Sequence, residues 1–205
     1  MLSKRLEAII SLVDKNDKII DIGTDHAYVP IALYKRNIAN KIVASDISNK
    51  VCINAKKNIE LYGIKDINVV CSDGFNNINE HFDLAILSGM GTKTILKILQ
   101  AKNVPDKLII ASQNDFSVLR NEMNKKGYKI SNEIVVFDKK YYPILKYEKG
   151  KENLTIGEIL FGKSNNIDYY QYLIKKYKVL YNKSKNEKFL EYQNLLLSII
   201  EKRQD

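Results

Sequence analysis

The feature that most constrains the fold is an alternation of short, β-branched apolar runs with longer segments of helical periodicity. The runs predict strands over residues 18–22, 41–47, 67–73, 82–88 and 107–112. Apolar residues spaced three or four apart predict helices over residues 2–13, 30–38, 49–63, 92–101 and 116–127. Nearly continuous apolar strands alternating with helices are typical of a parallel sheet covered on both faces. We therefore expect a doubly wound α/β domain.

The chain beyond the fifth predicted strand follows two other patterns. Extended runs over residues 128–137 and 140–149 predict an antiparallel hairpin at the sheet edge, an arrangement that resembles the class I methyltransferase (Rossmann-like) fold more than a dehydrogenase. Further on, apolar and tyrosine residues at three-four spacing on both sides of residues 182–186 predict an antiparallel helical hairpin with a coiled-coil-like seam. We divide the chain into a domain over residues 1–162 and a basic hairpin over residues 163–205.

The formal net charge of +9 has two explanations. The chain is rich in Lys, Ile, Asn and Tyr throughout, as coding bias in an AT-rich genome would produce. Between residues 163 and 188, however, seven lysines stand against only Asp168 and Glu187, and this local excess favours a functional basic face for nucleic acid. The residues expected to contact the nucleic acid there are Lys175, Lys176 and Lys178.

Other features of the composition predict a soluble, cytoplasmic protein with neither a membrane nor a metal partner. No run approaches the roughly 18 apolar residues of a membrane span, and charges interrupt the first apolar segment, unlike a secretory signal. Cys52 and Cys71 lack the spacing of a zinc site or a disulfide framework, so we expect buried thiols in a reducing compartment.

Acidic residues and glycines follow four successive predicted strands, where an open parallel sheet binds its ligands. Asp46 lies 25 residues beyond Asp21, at the end of the second strand, where a carboxylate can accept both hydroxyls of a ribose. Each residue also has a plainer explanation, as a loop acid, a helix cap or an ordinary turn. Four such signals at four strand ends favour a ligand site.

The stretch "DIGTDHAYVP" (21–30) distinguishes between two ribose-bearing ligands. NAD carries a pyrophosphate, which prefers a glycine-lined helix start, yet only Gly23 is present and Asp25 would repel a phosphate. S-adenosylmethionine carries an ammonium and a sulfonium, which two carboxylates attract. The stretch therefore predicts a site for an amino-acid-bearing nucleoside.

The segment "SGMGT" (88–92) lies where amino-methyltransferases of this fold face the acceptor nitrogen. It lacks the Asn/Asp-Pro-Pro-aromatic tetrapeptide that holds an exocyclic amine, so we infer a different acceptor, such as a ring nitrogen. In order along the chain, "LSKRL", "DIGTDHAYVP", "SDGF", "GMGT" and "YYPI" resemble the TrmK family, the bacterial tRNA (adenine(22)-N1)-methyltransferases. The resemblance covers residues 2 to about 160, and the basic helical tail is similar to that family's C-terminal coiled coil.

The resemblance implies S-adenosyl-L-methionine as cofactor and N1 of the adenine at position 22, in the D arm of tRNA, as acceptor. The implied cofactor-binding residues are Asp21, Gly23, Thr24, Asp25, His26, Asp46, Ile47, Asp73, Gly74, Ser88 and Gly89. Tyr28, Met90 and Gly91 are expected to contact the substrate base, in addition to the three tail lysines. Thr92 departs from the expected pattern, which has a second glycine there.

Asp25, His26 and Tyr28 are the candidate catalytic residues. Adenine N1 carries an in-plane lone pair and needs no deprotonation, so methyl transfer requires positioning more than a general base. Asp25 would stabilise the cationic product base, His26 would orient, and Tyr28 is either a stacking platform for the base or a core tyrosine. Alternatives are methylation of another RNA base or of a small molecule, and a non-catalytic RNA-binding module.

Overall fold

The computed structural model describes residues 2–15, 17–39 and 41–203, and within them seven strands form one sheet. The strands are β1 (Lys18–Ile22), β2 (Lys41–Asp46), β3 (Ile67–Cys71), β4 (Leu84–Ser88), β5 (Lys107–Ala111), β6 (Tyr128–Asp138) and β7 (Lys140–Lys149). Their order across the sheet is β3-β2-β1-β4-β5-β7-β6. The first five are parallel, and β7 runs antiparallel to both β5 and β6. The predicted doubly wound sheet with a closing hairpin is confirmed.

Helices connect the strands and complete the chain. They are α1 (Lys4–Ser11), α2 (Tyr28–Lys35), α3 (Asn49–Leu61), α4 (Thr92–Ile98), α5 (Phe116–Lys125), α6 (Ile156–Phe161), α7 (Ile167–Ser184) and α8 (Lys188–Glu201). Helix α2 begins two residues earlier than predicted, and α6 was not predicted at all. Its start carries a reciprocal capping box in which Thr155 and Glu158 each accept a hydrogen bond from the other's backbone N–H.

Strand ends differ from the prediction in a way that bears on the site. Strands β2, β3 and β5 end one or two residues before the predicted positions, at Asp46, Cys71 and Ala111. The residues beyond these ends therefore belong to loops above the carboxyl edge of the sheet. Such loops are the positions from which side chains reach a ligand.

Two apolar cores cover the two faces of the sheet. Ile19, Ile42 and Ile86 pack on the face that α1, α2 and α3 cover. Ile20 and Leu87, their neighbours along the strands, pack on the face covered by α4 and α5. Because successive side chains of a strand point to opposite faces, burial on both sides fixes the strand register and with it the alignment of the strand ends.

The predicted helical hairpin is confirmed as α7 and α8. Their shared core contains Tyr170, Leu173 and Leu196 together with Phe161 of α6. The seam differs in detail from the one that three-four spacing predicts. Tyr169 and Leu195 contribute to it, whereas Ile167, Leu180 and Tyr181, which that spacing assigns to the seam, lie outside this cluster. The Phe161 ring of α6 packs edge-on against Tyr177 of α7 and Tyr192 of α8, so α6 contributes to the core of the hairpin.

A buried ion pair joins the start of the helical hairpin to the sheet. The Arg120 guanidinium of α5 donates to the Glu133 carboxylate of β6 at 2.6 Å, and both side chains are almost fully buried. Glu133 also accepts a hydrogen bond from the backbone N–H of Lys163 at 2.9 Å, and Gly162 lies so close that a side chain there would have no room. Removing one partner of such a pair leaves an uncompensated buried charge, which costs about 3–5 kcal/mol.

The structure corrects the prediction for the two cysteines. Cys52 of α3 and Cys71 at the end of β3 form a disulfide, with their Cα atoms 6.0 Å apart, and are not free thiols. Helix α3 packs back along β3, and this crossover brings together two residues that lie 19 apart in sequence. That proximity arises from the tertiary packing, which spacing alone does not reveal.

None of the described helices combines the length and the apolar character needed to cross a bilayer.

Candidate active site

A cavity of about 860 Å³ lies at the carboxyl ends of the parallel strands. The strand order reverses between β1 and β4, and open α/β sheets bind ligands at such a point. The residues that line it are Arg5, Leu6, Asp21, Ile22, Gly23, Thr24, Asp25, His26, Tyr28, Val29, Asp46, Ile47, Ser72, Asp73, Gly74, Ser88, Gly89, Met90, Thr94, Lys97, Ile98 and Gln113. The structure thus brings all the positions proposed for the cofactor into one cavity, together with Tyr28 and Met90.

Four of the proposed substrate positions do not line this cavity: Gly91 and the three lysines of α7, Lys175, Lys176 and Lys178. The lysines are exposed to solvent. Within the described residues, no three His, Cys, Asp or Glu side chains group together as metal ligands.

The loop after β1 has an unusual backbone. Gly23, Asp25 and Ala27 have φ angles of 77°, 53° and 56°, so three of five consecutive residues adopt the left-handed conformation. This conformation is costly for residues other than glycine and is concentrated at functional sites. The backbone N–H groups of Gly23 and Thr24 donate to the Ser45 carbonyl at 2.8 and 3.0 Å, which ties the loop to β2. The Gly23 Cα faces Met90, whose methyl group would lie 3.2 Å from any added Cβ.

Asp21 is a buried carboxylic acid at the floor of the cavity. Its Oδ2 accepts a hydrogen bond from Thr24 Oγ1 at 2.7 Å, and the residue is 5% exposed. Burial raises the pKa of Asp21 to about 6; the charge of Asp46 acts in the same direction, and the hydrogen bond from Thr24 opposes it. Asp21 therefore titrates close to neutral pH and is sensitive to any cation placed beside it.

Asp25 and His26, on the same loop, lie together with Tyr28, the first residue of α2. An Asp25 oxygen lies 3.7 Å from His26 Nε2, and the His26 and Tyr28 rings are 5.4 Å apart between centroids. The Tyr28 residue is 43% exposed, so it is not a core tyrosine. This arrangement offers a carboxylate, an imidazole and an accessible aromatic face at the mouth of the cavity.

The loop after β2 presents Asp46 to the cavity. One Asp46 oxygen accepts a hydrogen bond from the Ser48 N–H at 3.0 Å, while the Ser48 hydroxyl accepts from the Val51 N–H and caps α3. The cap of α3 is thus Ser48, and the plainer explanation of Asp46 as the N-cap is wrong. A second carboxylate oxygen remains for a ligand. The adjacent Ile47 is 69% exposed, an apolar side chain at the cavity wall.

A tight turn after β3 carries Asp73 and Gly74. Ser72, which the sequence reasoning did not select, is buried and holds the turn: its hydroxyl donates to the Gly74 carbonyl at 2.9 Å and accepts from the Asn77 N–H at 3.0 Å. Gly74 has a φ of 58°, and a side chain there would approach Ile98 to 2.9 Å. Only glycine fits this turn, which leaves Asp73 exposed at the cavity wall.

The loop after β4 is held from behind by the loop after β5. The Gln113 side-chain amide donates to the Gly89 carbonyl at 2.5 Å, and the Gln113 backbone N–H donates to the Met90 carbonyl at 3.0 Å. Thr92 is fully buried, and its hydroxyl lies 2.6 Å from the Asn114 carbonyl and 2.8 Å from the Ser112 hydroxyl. The threonine that departs from the expected glycine therefore has a packing role of its own.

Several residues that line the cavity from helices are absent from the sequence-based predictions. Arg5 and Leu6 come from α1, and Thr94, Lys97 and Ile98 come from α4. Arg5 and Lys97 add positive charge to a cavity that otherwise carries four carboxylates: Asp21, Asp25, Asp46 and Asp73. Both cations are attached to elements whose place beside the cavity depends on tertiary packing.

Comparison with known proteins assigns the chain to a family. The family described as "Methyltransferase domain" matches residues 2–145. The chain is 31% identical to the tRNA (adenine(22)-N(1))-methyltransferase of Bacillus subtilis over 158 residues, which are 73% of this chain and 66% of that protein. The structure of M. capricolum TrmK with S-adenosyl-homocysteine is 32% identical with a TM-score of 0.83, covering 100% of this chain and 98% of that one.

A Streptococcus pneumoniae protein solved with S-adenosyl-L-methionine is 26% identical with a TM-score of 0.87, covering 98% of this chain and 100% of that one. The similarity to these two structures thus extends over the helical hairpin as well as over the sheet that carries the cavity. By sequence and by fold, the chain belongs to the TrmK family of tRNA (adenine(22)-N1)-methyltransferases.

Proposed function

We propose that this chain transfers a methyl group from S-adenosyl-L-methionine to N1 of the adenine at position 22, in the D arm of tRNA. The observation that carries the proposal is the composition of the cavity. In a chain of the TrmK family, it joins a left-handed loop after β1, carboxylates at three strand ends and the glycine-rich loop after β4. As a tRNA-modifying enzyme, the protein is expected to work in the cytoplasm, where its substrate is.

The cofactor end of the site is assigned by chemistry. Asp46 would accept the two ribose hydroxyls, because one of its oxygens is not used by the loop. Asp73 and Gly74, which line the cavity, would border the adenine ring. Asp21, Gly23, Thr24, Ser88 and Gly89 would surround the methionine end.

The acceptor end of the site is the exposed side of the loop after β1, opposite the loop after β4. S-adenosylmethionine supplies an electrophilic methyl group on a sulfonium, and adenine N1 supplies the lone pair that attacks it. Tyr28 offers a face on which the flipped base can stack. Met90 would bound the opposite side, whereas Gly91 next to it does not line the cavity. Asp25 would stabilise the positive charge that the base acquires, and His26, 3.7 Å from it, would orient the base.

The division of labour along the chain follows from the same assignment. Residues 1–162 would hold the cofactor and the acceptor base, and residues 163–205 would hold tRNA through the exposed lysines of α7. Those lysines do not line the cavity, so they would contribute affinity and not chemistry.

A methylation assay with two transcripts tests the proposal. The purified protein should methylate an unmodified tRNA carrying adenine at position 22, with the product mapped by mass spectrometry as 1-methyladenosine at that position. The same tRNA with guanine at position 22 should accept no methyl group. Equal methylation of the two transcripts would point to another base, and cofactor binding without any methylation would favour a non-catalytic RNA-binding module.

The raised pKa of Asp21 predicts a pH dependence of cofactor binding. A bound ammonium and sulfonium favour the ionised carboxylate, so below the pKa of about 6 the cofactor must displace a proton. We expect affinity to be flat above pH 7 and to fall toward about tenfold per pH unit below 6. Calorimetric titrations from pH 5 to 8 would measure this, and the pH dependence should disappear in Asp21→Asn.

The raised pKa of Asp21 has the opposite effect on the free energy of unfolding of the cofactor-free protein: ionisation of Asp21 favours cofactor binding but lowers stability. A carboxyl whose pKa is raised in the folded state opposes folding once it ionises, so its contribution worsens as pH rises from about 4 to 6. Asp21→Asn keeps an acceptor for the Thr24 hydroxyl and should therefore be more stable at pH 7.5, by up to about 3 kcal/mol. A variant that is less stable at pH 7.5 and binds the cofactor with an unchanged pH profile would contradict this account.

The α7 lysines predict a salt dependence of tRNA binding. Replacing Lys175, Lys176 and Lys178 with glutamine should weaken tRNA binding and lower the slope of log K against log salt by about 2, because each phosphate contact contributes 0.7–0.9 to that slope. A variant with Lys56, Lys57 and Lys65 replaced removes the same charge from exposed positions near the β3 edge of the sheet. Equal slopes for the two variants would mean that the lysines of the tail reflect the overall composition of the chain and do not contact tRNA.

A further inference from the structure

The tip of the β6–β7 hairpin, residues 137–142, projects on the same side of the sheet as the cavity. Because β7 is antiparallel to β5, its beginning lies beside the end of β5: Leu145 pairs with Ile110, and β5 stops one residue later. Toward the tip, β7 pairs only with β6, up to the pair Asp138 and Lys140. Four residues beyond Ile144 extend about 13 Å at the usual strand rise. The tip therefore extends beyond the carboxyl edge of the sheet, the edge at which the cavity lies.

One face of the hairpin tip connects it to the cavity. The Arg5 guanidinium carbon, on α1, lies 5.4 Å from the centre of the Tyr142 ring, and the Lys140 ammonium lies 5.0 Å from the same centre. Arg5 also lines the cavity. A single aromatic ring thus lies close to two cations, one of which lines the cavity.

The other face of the tip packs against the helical hairpin. The Tyr141 ring lies 5.1 Å from Phe137, 5.0 Å from Tyr172 and 5.4 Å from Tyr169. Phe137 is 54% exposed and Tyr172 is 46% exposed, so the cluster presents aromatic surface to solvent. Lys175 and Lys176 follow Tyr172 at spacings of three and four and share its side of α7. The tip is therefore continuous with both the cavity and the basic helix.

The tip carries net positive charge, because Lys139 and Lys140, with Arg5 beside them, outnumber its one acid, Asp138. Across the described ranges, neither Arg5, Lys139 nor Lys140 lies within 4.0 Å of an acidic oxygen, whereas Arg36 and Lys146, basic residues elsewhere on the molecule, form ion pairs. Lys139, which has a φ of 64° in the turn between β6 and β7, and Lys140, the first residue of β7, are both exposed. Unpaired cations interleaved with exposed aromatic rings suit a phosphate backbone with unstacked bases, because the cations neutralise phosphates and the rings stack on bases.

We propose that the hairpin tip, residues 137–142 together with Arg5, is a second tRNA-binding surface that holds the phosphate backbone next to the acceptor nucleotide. The inference rests on the proposed function, and it adds a contact between the cavity and α7 to the one assigned to the tail lysines. Lys139 and Lys140 take the phosphates, and Phe137 offers a ring to a neighbouring unpaired base. An RNA strand held at the tip would enter the cavity past Arg5 and Tyr142.

The first test compares two charge-matched variants in tRNA binding. Lys139→Gln with Lys140→Gln should raise the tRNA dissociation constant roughly ten- to thirtyfold at 0.15 M salt and lower the salt slope by about 1.5–2. Cofactor affinity should be unchanged, because neither lysine lines the cavity. Lys56→Gln with Lys57→Gln, at exposed positions on α3, is the control and should leave both quantities unchanged. A hairpin-tip variant that matches this control overturns the proposal, and an acidic protein partner then becomes the better explanation of the tip.

The second test uses the unaltered protein. Lysine acetylation followed by mass spectrometry should show Lys139 and Lys140 protected by saturating tRNA, while Lys56 and Lys57 react equally with and without it. Equal labelling of the tip lysines in both conditions overturns the proposal. Failure of the proposed function is recognised separately, because the unaltered protein would then not methylate the adenine-22 transcript. A protein that methylates this transcript while its tip lysines stay unprotected refutes the hairpin contact alone.

Discussion

Asp46→Ala is expected to abolish measurable binding of S-adenosyl-L-methionine while leaving the fold intact. Two ribose hydroxyls would lose a charged acceptor, and hydrogen bonds to charged groups contribute about 1.5–3 kcal/mol each. Together these amount to a loss of at least about a hundredfold in affinity. The bond from the Ser48 N–H would also be lost, but Ser48 itself caps α3 and keeps the helix start in place.

Two further variants separate the ligand contact from the loop contact. Asp46→Asn keeps one acceptor for the Ser48 N–H and removes the charge, so it should bind the cofactor weakly but measurably. Asp66→Ala removes an acid outside the cavity that accepts a hydrogen bond from the Tyr34 hydroxyl, and it should bind normally. Calorimetry with all three proteins decides the matter: wild-type affinity in Asp46→Ala would exclude this carboxylate from the ribose site.

Local pattern predicted most of what positions the site. Strand β1 occupies the predicted residues 18–22, and the hairpin strands match the two extended runs to within one residue. This succeeds because the strands are buried on both faces, so their apolar runs stand out from the helices between them. Once the strands are located, topology alone places the residues after them at one edge.

None of the predicted site residues follows the fifth strand, although the loop there lies at the same edge of the sheet. Ser112, Gln113 and Asn114 follow β5 directly and hold the loop after β4 through hydrogen bonds to Gly89, Met90 and Thr92. These three residues include no acid and no glycine, the two residue types that predicted ligand contacts after the other strands. Their position after a strand end was the signal that would have found them.

Long-range packing accounts for what no local pattern reveals. Arg5 reaches the cavity because α1 packs across the sheet, and the disulfide between Cys52 and Cys71 forms because α3 returns along β3. The left-handed backbone of Asp25 and Ala27 is likewise invisible in the sequence, since neither residue type demands it. The position of Arg5, the disulfide and the loop conformation all depend on contacts between segments that are distant in the sequence.

Asp25→Asn is expected to lower the single-turnover rate of tRNA methylation by about two orders of magnitude, the scale for removing one electrostatic group from a reacting centre. The carboxylate lies at the cavity mouth beside His26, where a charge can stabilise the cationic product base. Asparagine is the appropriate replacement because residue 25 has a φ of 53°, which asparagine tolerates about as well as aspartate. Binding of tRNA should be unchanged, since its phosphate contacts lie elsewhere.

The left-handed backbone at residue 25 also supplies the control that separates charge from shape. Asp25→Gly removes the carboxylate and relaxes the backbone, because glycine adopts this conformation without cost. If the charge acts on the reacting base, the glycine and asparagine variants should both be slow, and His26→Ala should be milder because no proton has to be removed before N1 attacks. Near-normal single-turnover rates in the asparagine variant, with a loss confined to replacements that strain the backbone such as Asp25→Val, would mean that Asp25 shapes the loop and takes no part in the chemistry.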